Sequence, residues 1–396
     1  MAAYRARVAE FEDLLKGPVI DVKKLNQMCS NGGIPECPGF RATCWKLLLN
    51  YLPAKVNQWP EAHKSQRSLY RQFLQEMIIK PGQQLQGVTR ADVTFEDHPL
   101  NPNPNSEWSQ FFKDNDILLQ IDKDTRRLQP DIGFFQQATE FPCEELVDAS
   151  NNIETLRKRV EHTLLYSEDV AKNKLGISTT TQKKKPKSYD FGHETLPEGQ
   201  EAHWEVVERI LFTYAKLNPG QSYVQGMNEI IGPVYYVFAS DSQIENRENA
   251  EADTFFCFTN LMSQVRDNFI KSLDNSPDGI NAKMQHLMAM LKQSDPAVYQ
   301  IFSSQELKPE FFGFRWLTLL LSQEFPLPDV IRLWDSLFAN ERRLEFLICV
   351  CCAMIVLQRS TILSGDFACN IKLLQNYPTV DINVILRKAT ELCKYL

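Results

Sequence analysis

The feature that most constrains this chain is a helical spacing of apolar residues that recurs along almost its whole length. Val8, Phe11 and Leu15 follow one another at intervals of three and four residues, which places them on one face of a helix. Residues 344–358 are almost wholly apolar, so this segment is predicted to be a central buried helix. Alternating strand patterns and Asn-Gly hairpin turns are scarce. The sequence therefore predicts an all-α fold of many helices joined by short connectors.

The charge of the chain limits its partners. Its 396 residues carry a formal net charge of −7, which argues against broad binding to nucleic acid or to anionic membranes. The longest apolar run, residues 346–357, is shorter than the roughly 20 residues that a membrane-spanning helix needs. No signal peptide is predicted from the N-terminal residues. We therefore expect a cytoplasmic protein that does not span a membrane.

The cysteines and histidines predict neither a metal site nor a disulfide framework. Cys349 and its neighbours lie in the apolar run, where they are interpreted as small core residues, and Cys393 is interpreted as a core residue at a helix end. The six histidines are scattered, and no cysteine pairs have zinc-ligand spacing. Gly82–Gly87 has the gap of a phosphate-binding loop, but Val88 stands where the lysine should follow. We expect a reduced, intracellular protein with no metal and no cofactor of its own.

The first candidate functional stretch is Tyr223–Asn228, at the start of an apolar run. Gly226 allows the backbone to bend tightly and a ligand to approach closely. The amide of Gln225 donates and accepts hydrogen bonds at once, so it can hold a water molecule in one orientation. Orienting a water for attack on a phosphate is one task that needs such a group. The alternative is a Gln-Gly helix start that only packs on a neighbour.

The second candidate stretch contains Ile121, Asp124 and Arg127. These residues recur every three positions and are predicted to form one ridge of a helix. Asp124 can pair with Arg127 and limit its rotamers, so that the charged planar fork projects toward phosphate oxygens. The alternative is a solvated ion pair that contributes almost nothing to stability. Arg126 is the adjacent candidate, but neighbouring helical residues point about 100° apart.

Four motifs in this order resemble the TBC domain of Rab GTPase-activating proteins. They are Gly33-Ile34-Pro35 with Arg41-x-x-x-Trp45, Ile121-x-x-Asp124-x-x-Arg127, Tyr223-x-Gln225-Gly226-Met227 and Arg332-x-Trp334-Asp335. The resemblance implies a multi-helical TBC fold of two continuous helical lobes. It also implies a helical lead-in over residues 1–29, the TBC domain over 30–345, and C-terminal helices over 346–396 packed on the same body.

One departure from the family pattern is the long separation of the arginine and glutamine motifs. The surplus residues form an insertion at about 128–199, which contains the lysine run Lys183–Lys187. Such an insertion can loop out because the cost of loop closure grows slowly with length. A solvated loop, a nuclear-import signal and a contact with an acidic surface all remain open for the lysine run.

The resemblance implies that the protein activates a GTP-bound Rab and is not itself an enzyme. Arg127 would be the catalytic arginine and Gln225 the catalytic glutamine, both acting in trans. The supporting residues would be Asp124, Ile121, Tyr223, Gly226, Arg41, Trp45, Trp334 and Asp335. GTP and Mg²⁺ would be carried by the Rab. The implied role is the regulation of vesicle trafficking, with peripheral recruitment to endomembranes through the Rab.

Two other functions are considered beside this one. A non-catalytic Rab-binding scaffold or effector could share the same fold, although the presence of both Arg127 and Gln225 argues against it. An unrelated helical enzyme would need a metal cluster, a nucleophile–base pair or a cofactor motif, and the sequence shows none of these.

Overall fold

The structure is a computed structural model that describes residues 2–79, 107–151, 153–164, 196–197 and 199–395. The phosphate-loop-like residues 82–88 and the lysine run 183–187 lie outside these ranges. The α-helices before the glutamine motif are α1 (Ala2–Leu15), α2 (Val22–Ser30), α3 (Phe40–Leu48), α4 (Trp59–Leu74), α5 (Glu107–Thr125), α6 (Glu144–Val147), α7 (156–164 in its described part) and α8 (His203–Leu217).

The α-helices that follow the glutamine motif complete the chain. They are α9 (Met227–Ala239), α10 (Ile244–Glu248), α11 (Ala250–Val265), α12 (Ile280–Ser294), α13 (Pro296–Ser304), α14 (Gly313–Thr318), α15 (Leu327–Phe338), α16 (Arg343–Leu357), α17 (Arg359–Ser364), α18 (Phe367–Gln375) and α19 (Ile382–Leu392). A π-helical turn (Gln75–Ile79) and short 3₁₀ turns are the other helical elements.

The predicted all-α class is confirmed. Across the described ranges, strand-like pairing is limited to two isolated bridges, Val19 with Lys55 and Ala138 with Ala202. The chain divides into two compact units. Unit 1 consists of Met1–Gln66 and Glu229–Leu396, and unit 2 of Arg67–Asn228. The segment boundaries expected near residues 29 and 345 stay predictions.

The core of unit 1 is built around α16. Its side chains from Phe346 to Ile355 are all buried, which confirms the prediction of a central buried helix. The helix packs against α12 and α19. A helix with apolar residues on every face must be surrounded by others, because exposing any face would leave apolar surface in water.

Cys349 is fully buried, as predicted, but the expectation of no disulfide is wrong, because Cys349 and Cys393 form a disulfide bond. Packing of α19 against α16 brings together residues that are 44 positions apart, with their Cα atoms 5.9 Å from each other. This Cα separation lies within the range that a disulfide spans. Cysteine spacing alone could not reveal the pair, since the contact depends on how two distant helices pack.

Unit 2 is centred on α8, which packs against α5. Residues His203 to Ala215 of α8 are all buried, and Glu205 accepts a hydrogen bond at 2.7 Å from the backbone N–H of Ala202 at the helix start. An ion pair also joins the two helices, because Lys216 Nζ on α8 lies 2.6 Å from Asp114 Oδ2 on α5. The end of α5 and the loop between α8 and α9 carry the candidate site.

Candidate functional site

Arg127 lies just beyond the C-terminus of α5, which ends at Thr125. The predicted helical ridge therefore holds for Ile121 and Asp124, whereas Arg127 belongs to the following turn. Its Nε donates to the backbone oxygen of Lys123 at 2.9 Å, which satisfies one of the carbonyl groups that a helix end leaves unpaired. Its Nη2 donates to Asp124 Oδ1 at 3.2 Å. The guanidinium is anchored through these two donors, and the side chain is still 60% exposed.

The carboxylate of Asp124 joins the two candidate stretches. Only 7% of the Asp124 side chain is exposed. Its Oδ1 accepts from Arg127, and its Oδ2 accepts from the hydroxyl of Tyr223 at 2.8 Å. Because two oxygens of one carboxylate lie only about 2 Å apart, the arginine and the glutamine loop must be close neighbours. Asp124 and Tyr223 therefore hold the two stretches together within unit 2.

Gln225 sits at the tip of a tight loop. The Met227 N–H donates to the carbonyl of Val224 at 3.1 Å, which closes a turn around Gln225 and Gly226. Gly226 has a φ of 105°, a backbone conformation that side-chain-bearing residues rarely adopt. The Gln225 side chain is exposed and makes no hydrogen bond with the described part of the chain. The loop thus presents a primary amide whose donors and acceptor are available.

Asn228 is the last residue of the candidate stretch, but its role in holding this loop was not identified from the sequence. It is 5% exposed, and its Oδ1 accepts from the Gly226 N–H at 3.2 Å and lies 3.3 Å from the Tyr223 hydroxyl. The available signal was a polar residue in the first turn of an otherwise apolar helix. A buried asparagine at such a position needs hydrogen-bond partners, and the preceding loop provides them.

Arg126 has a different environment from Arg127. Its Nε lies 3.0 and 2.9 Å from the two oxygens of Asp122, and its guanidinium carbon lies 4.4 Å from the ring centre of Trp204. Only 16% of its side chain is exposed. Arg126 is therefore fixed as part of the packing of unit 2, whereas Arg127 reaches solvent.

Buried carboxyl groups support this packing. Burial raises the pKa of Asp122, and the hydrogen bond from Arg126 opposes that shift. Burial also raises the pKa of Glu208 well above its usual value, and the negative charge of nearby Asp122 adds to the effect. Ile121 is fully buried, and its backbone oxygen accepts from the Thr125 hydroxyl at 2.9 Å. These residues fix the end of α5 from which Arg127 emerges.

The other predicted supporting residues lie in unit 1, around the buried carboxylate of Asp335. Oδ1 of Asp335 accepts from Trp45 Nε1 at 2.8 Å and from Arg41 Nε at 3.2 Å. Oδ2 accepts from the Ile34 N–H at 3.0 Å and from Arg41 Nη2 at 3.3 Å. Burial raises the pKa of Asp335, and these donors oppose that shift. Two of the four motifs, about 300 positions apart in sequence, thus meet at one carboxylate.

Trp334 packs beside this group and is fully buried. Its Nε1 donates to the Leu320 carbonyl at 3.0 Å, and its ring centre lies 6.2 Å from that of Trp45. The structure therefore collects the predicted residues into two groups. Ile121, Asp124, Arg127, Tyr223, Gln225 and Gly226 lie in unit 2, whereas Arg41, Trp45, Trp334 and Asp335 lie in unit 1.

The described ranges contain no group of three or more His, Cys, Asp or Glu side chains that could hold a metal ion. None of their helices has both the length and the apolarity needed to cross a bilayer.

Comparison with known proteins identifies the family. The Rab-GTPase-TBC domain family matches residues 159–363. The chain is 58% identical to TBC1 domain family member 13 of Homo sapiens, with 98% of each chain covered. It is 35% identical to a TBC domain-containing protein of Schizosaccharomyces pombe, covering 98% of this chain and 73% of that one. The chain therefore belongs to the Rab-GTPase-TBC domain family, which confirms the resemblance carried by the four motifs.

A solved structure shares the fold. The Ypt/Rab-GAP domain of Gyp1p matches with a TM-score of 0.66, covering 99% of this chain and 98% of that one, at 23% sequence identity.

Proposed function

We propose that this protein accelerates GTP hydrolysis by a Rab-family small GTPase, and that it does so by supplying Arg127 and Gln225 in trans. The observation that carries the proposal is the shared carboxylate of Asp124. It binds Arg127 through one oxygen and Tyr223, two residues before Gln225, through the other. An exposed arginine and an exposed glutamine are thereby presented together by buried supports.

Arg127 is suited to stabilise the charge on a transferred phosphoryl group. The contacts to Lys123 and Asp124 use two of the five guanidinium N–H donors, so three are left for phosphate oxygens. Because two contacts already hold the guanidinium, less conformational entropy is lost when its remaining donors bind phosphate. An arginine supplied in this way accelerates hydrolysis by about 10³–10⁵-fold.

Gln225 is suited to orient the attacking water. Its amide oxygen would accept a hydrogen bond from the water while its amide N–H donates to a neighbouring oxygen. This is the task that many GTPases give to a glutamine of their own. Gly226 permits the positive φ that this tight loop requires, so that the amide is presented beyond the backbone.

The partner supplies the remaining components. We propose that GTP and Mg²⁺ are carried by the Rab, and that this chain binds no cofactor of its own. Its recruitment to endomembranes would then be peripheral and inherited from the GTP-bound Rab. Through that activity the protein would regulate vesicle trafficking.

The alternative is a Rab-binding scaffold without catalytic activity. Such a protein needs the helical surface but has no use for an anchored, exposed arginine beside an exposed glutamine. The pairing of Arg127 with Asp124 in a buried network favours the activator.

The test is single-turnover GTP hydrolysis by a panel of purified Rab proteins, with wild type, Arg127→Ala and Gln225→Ala compared. The matched control is Arg342→Ala in unit 1, because Arg342 also forms an i,i+3 ion pair, with Glu345, and is 68% exposed. We expect wild type and the control to accelerate at least one Rab, and both site variants to lose most of that acceleration. Tight Rab binding without acceleration by wild type would instead support the scaffold.

A further inference from the structure

The position of Asn228 gives its side chain access to the loop that presents Gln225. Asn228 is the second residue of α9, and its side chain turns back to accept the N–H of Gly226 at 3.2 Å. Side chains in the first turn of a helix can satisfy the N–H of the residue that precedes the helix. Here that N–H belongs to the peptide bond between Gln225 and Gly226.

This hydrogen bond fixes the orientation of Gln225. A peptide unit is planar, so holding the Gly226 N–H also fixes the carbonyl of Gln225 and the backbone dihedral next to its side chain. Gly226 itself imposes little preference, because glycine is free at positive and negative φ. The restraint on the loop must therefore come from a neighbouring group, and Asn228 provides one.

Oδ1 of Asn228 is also linked, through Tyr223 and Asp124, to the stretch that carries Arg127. Asn228 Oδ1 lies 3.3 Å from the Tyr223 hydroxyl, whose hydrogen bond to Asp124 Oδ2 is shorter, at 2.8 Å. A charged acceptor binds a hydroxyl more strongly than a neutral one, so the hydroxyl donates mainly to Asp124. The same hydroxyl is shared with Asn228 Oδ1 in a longer, weaker hydrogen bond, and Asp124 in turn binds Arg127.

We propose that Asn228 is a positioning residue that aligns Gln225 directly and Arg127 through Tyr223 and Asp124. This inference rests on the proposed function, because its catalytic consequence requires a Rab whose hydrolysis is accelerated. Asn228 contacts neither nucleotide nor water in this role. It fixes the positions of the Gln225 and Arg127 side chains before the partner binds.

The experiment uses the full chain with three substitutions at this position. Asn228→Leu keeps the approximate volume but removes the acceptor, Asn228→Asp keeps an acceptor oxygen, and Asn228→Ala removes both. We expect Asn228→Leu and Asn228→Ala to lower kcat for Rab-bound GTP about 10–100-fold with KM unchanged, since a displacement of about 1 Å can cost 10²-fold. Asn228→Asp should recover part of the lost kcat.

A second measurement does not depend on a Rab. In the free protein, hydrogen exchange at the Gly226 amide should become at least about 10-fold faster in Asn228→Leu but remain slow in Asn228→Asp, because only the latter accepts that N–H. The matched control is Asn370→Leu in unit 1, where a fully buried asparagine donates to the carbonyls of Ile362 and Gly365. It should lower stability without changing kcat or the exchange of Gly226.

The outcomes separate the inference from the proposed function. An active wild type with an unaffected Asn228→Leu overturns the inference alone, as does unchanged Gly226 exchange in that variant. A wild type that accelerates no Rab overturns the proposed function and, with it, the catalytic role of Asn228. Reduced kcat with constant KM, faster exchange in Asn228→Leu and recovery in Asn228→Asp support the inference.

Discussion

The hydroxyl of Tyr223 donates to Oδ2 of Asp124 at 2.8 Å, across 99 positions of sequence. Both side chains are buried, whereas Arg127 and Gln225, which they support, are exposed. The structure thus separates the residues proposed to act on phosphate from those that position them. This separation allows the two roles to be tested by different substitutions.

Tyr223→Phe should lower the maximal rate of Rab-stimulated hydrolysis about 10-fold while leaving KM unchanged. The substitution removes the hydroxyl that fixes Asp124 but keeps the ring, so the loop still packs. Losing one hydrogen bond to a buried acceptor should also lower the free energy of unfolding by about 1–3 kcal/mol. Single-turnover hydrolysis and urea unfolding measure the two effects.

The control for this change is Tyr377→Phe in unit 1. The Tyr377 hydroxyl donates to the Met354 carbonyl at 3.0 Å, so its loss should affect stability and not the rate. An unchanged rate in Tyr223→Phe would contradict the positioning role of Tyr223.

Arg126 and Arg127 should respond in opposite ways to replacement by methionine. Arg126→Met leaves the buried Asp122 without its partner and should destabilise the fold by about 3–5 kcal/mol. Arg127→Met removes a 60% exposed side chain and leaves Asp124 with its hydrogen bond from Tyr223, so it should destabilise the fold less than Arg126→Met, yet abolish most of the acceleration. Urea unfolding and hydrolysis assays on both variants decide the matter. If the acceleration survives in Arg127→Met, the assignment of Arg127 as the catalytic arginine is wrong.

Asp335→Asn should destabilise unit 1 by about 3 kcal/mol or more. The amide cannot accept all four hydrogen bonds that the carboxylate accepts, and the partly buried Arg41 loses its counter-charge. Glu36→Gln is the matched control, because Glu36 also pairs with Arg41 but is 81% exposed. The midpoint of urea unfolding should shift for the first variant and stay constant for the second.

Protonation of His203 should lower the free energy of unfolding in mild acid. Burial lowers the pKa of His203 to about 4, from 6.5 in an unfolded chain. The folded state therefore binds fewer protons, and stability that is fully present above pH 6.5 is lost as the pH falls toward 4. The full shift corresponds to about 3 kcal/mol.

His203 is the first residue of α8, stacked on Phe134 with 4.1 Å between ring centres, and a positive charge at a helix N-terminus is also unfavourable. His203→Gln cannot charge, so its unfolding free energy should fall less than that of wild type between pH 6.5 and 4. Equal slopes for both proteins would show that His203 does not carry this pH dependence.

The parts of the fold that the sequence revealed are those set by local pattern. The apolar segment around α16 could be assigned because no amphipathic surface helix has apolar residues on all sides. The pairing of Asp124 with Arg127 followed from their spacing. The competing pair, Asp122 with Arg126, was not foreseen, because the choice depends on the burial of Asp122 and on the ring of Trp204.

Other features depend on tertiary contacts and had no local signal. The disulfide between Cys349 and Cys393 requires α16 and α19 to pack. The role of Asp335 as an acceptor for Ile34, Arg41 and Trp45 requires segments about 300 positions apart to meet. Motif resemblance marked Arg41, Trp45 and Asp335 as supporting residues but gave no partner for any of them.

The hydrogen bond from the Ile34 N–H to Asp335 also has a consequence for biosynthesis. The two residues are 301 positions apart, and all of unit 2 is translated between them. At about 5–20 residues per second, Ile34 is synthesised some 15–60 s before Asp335. During that time residues 1–66 cannot complete their packing, because the rest of unit 1 has not been synthesised. All of unit 2 is translated before Asp335. A nascent chain halted before Asp335 should therefore expose the apolar surfaces of α2 and α3 to chaperones.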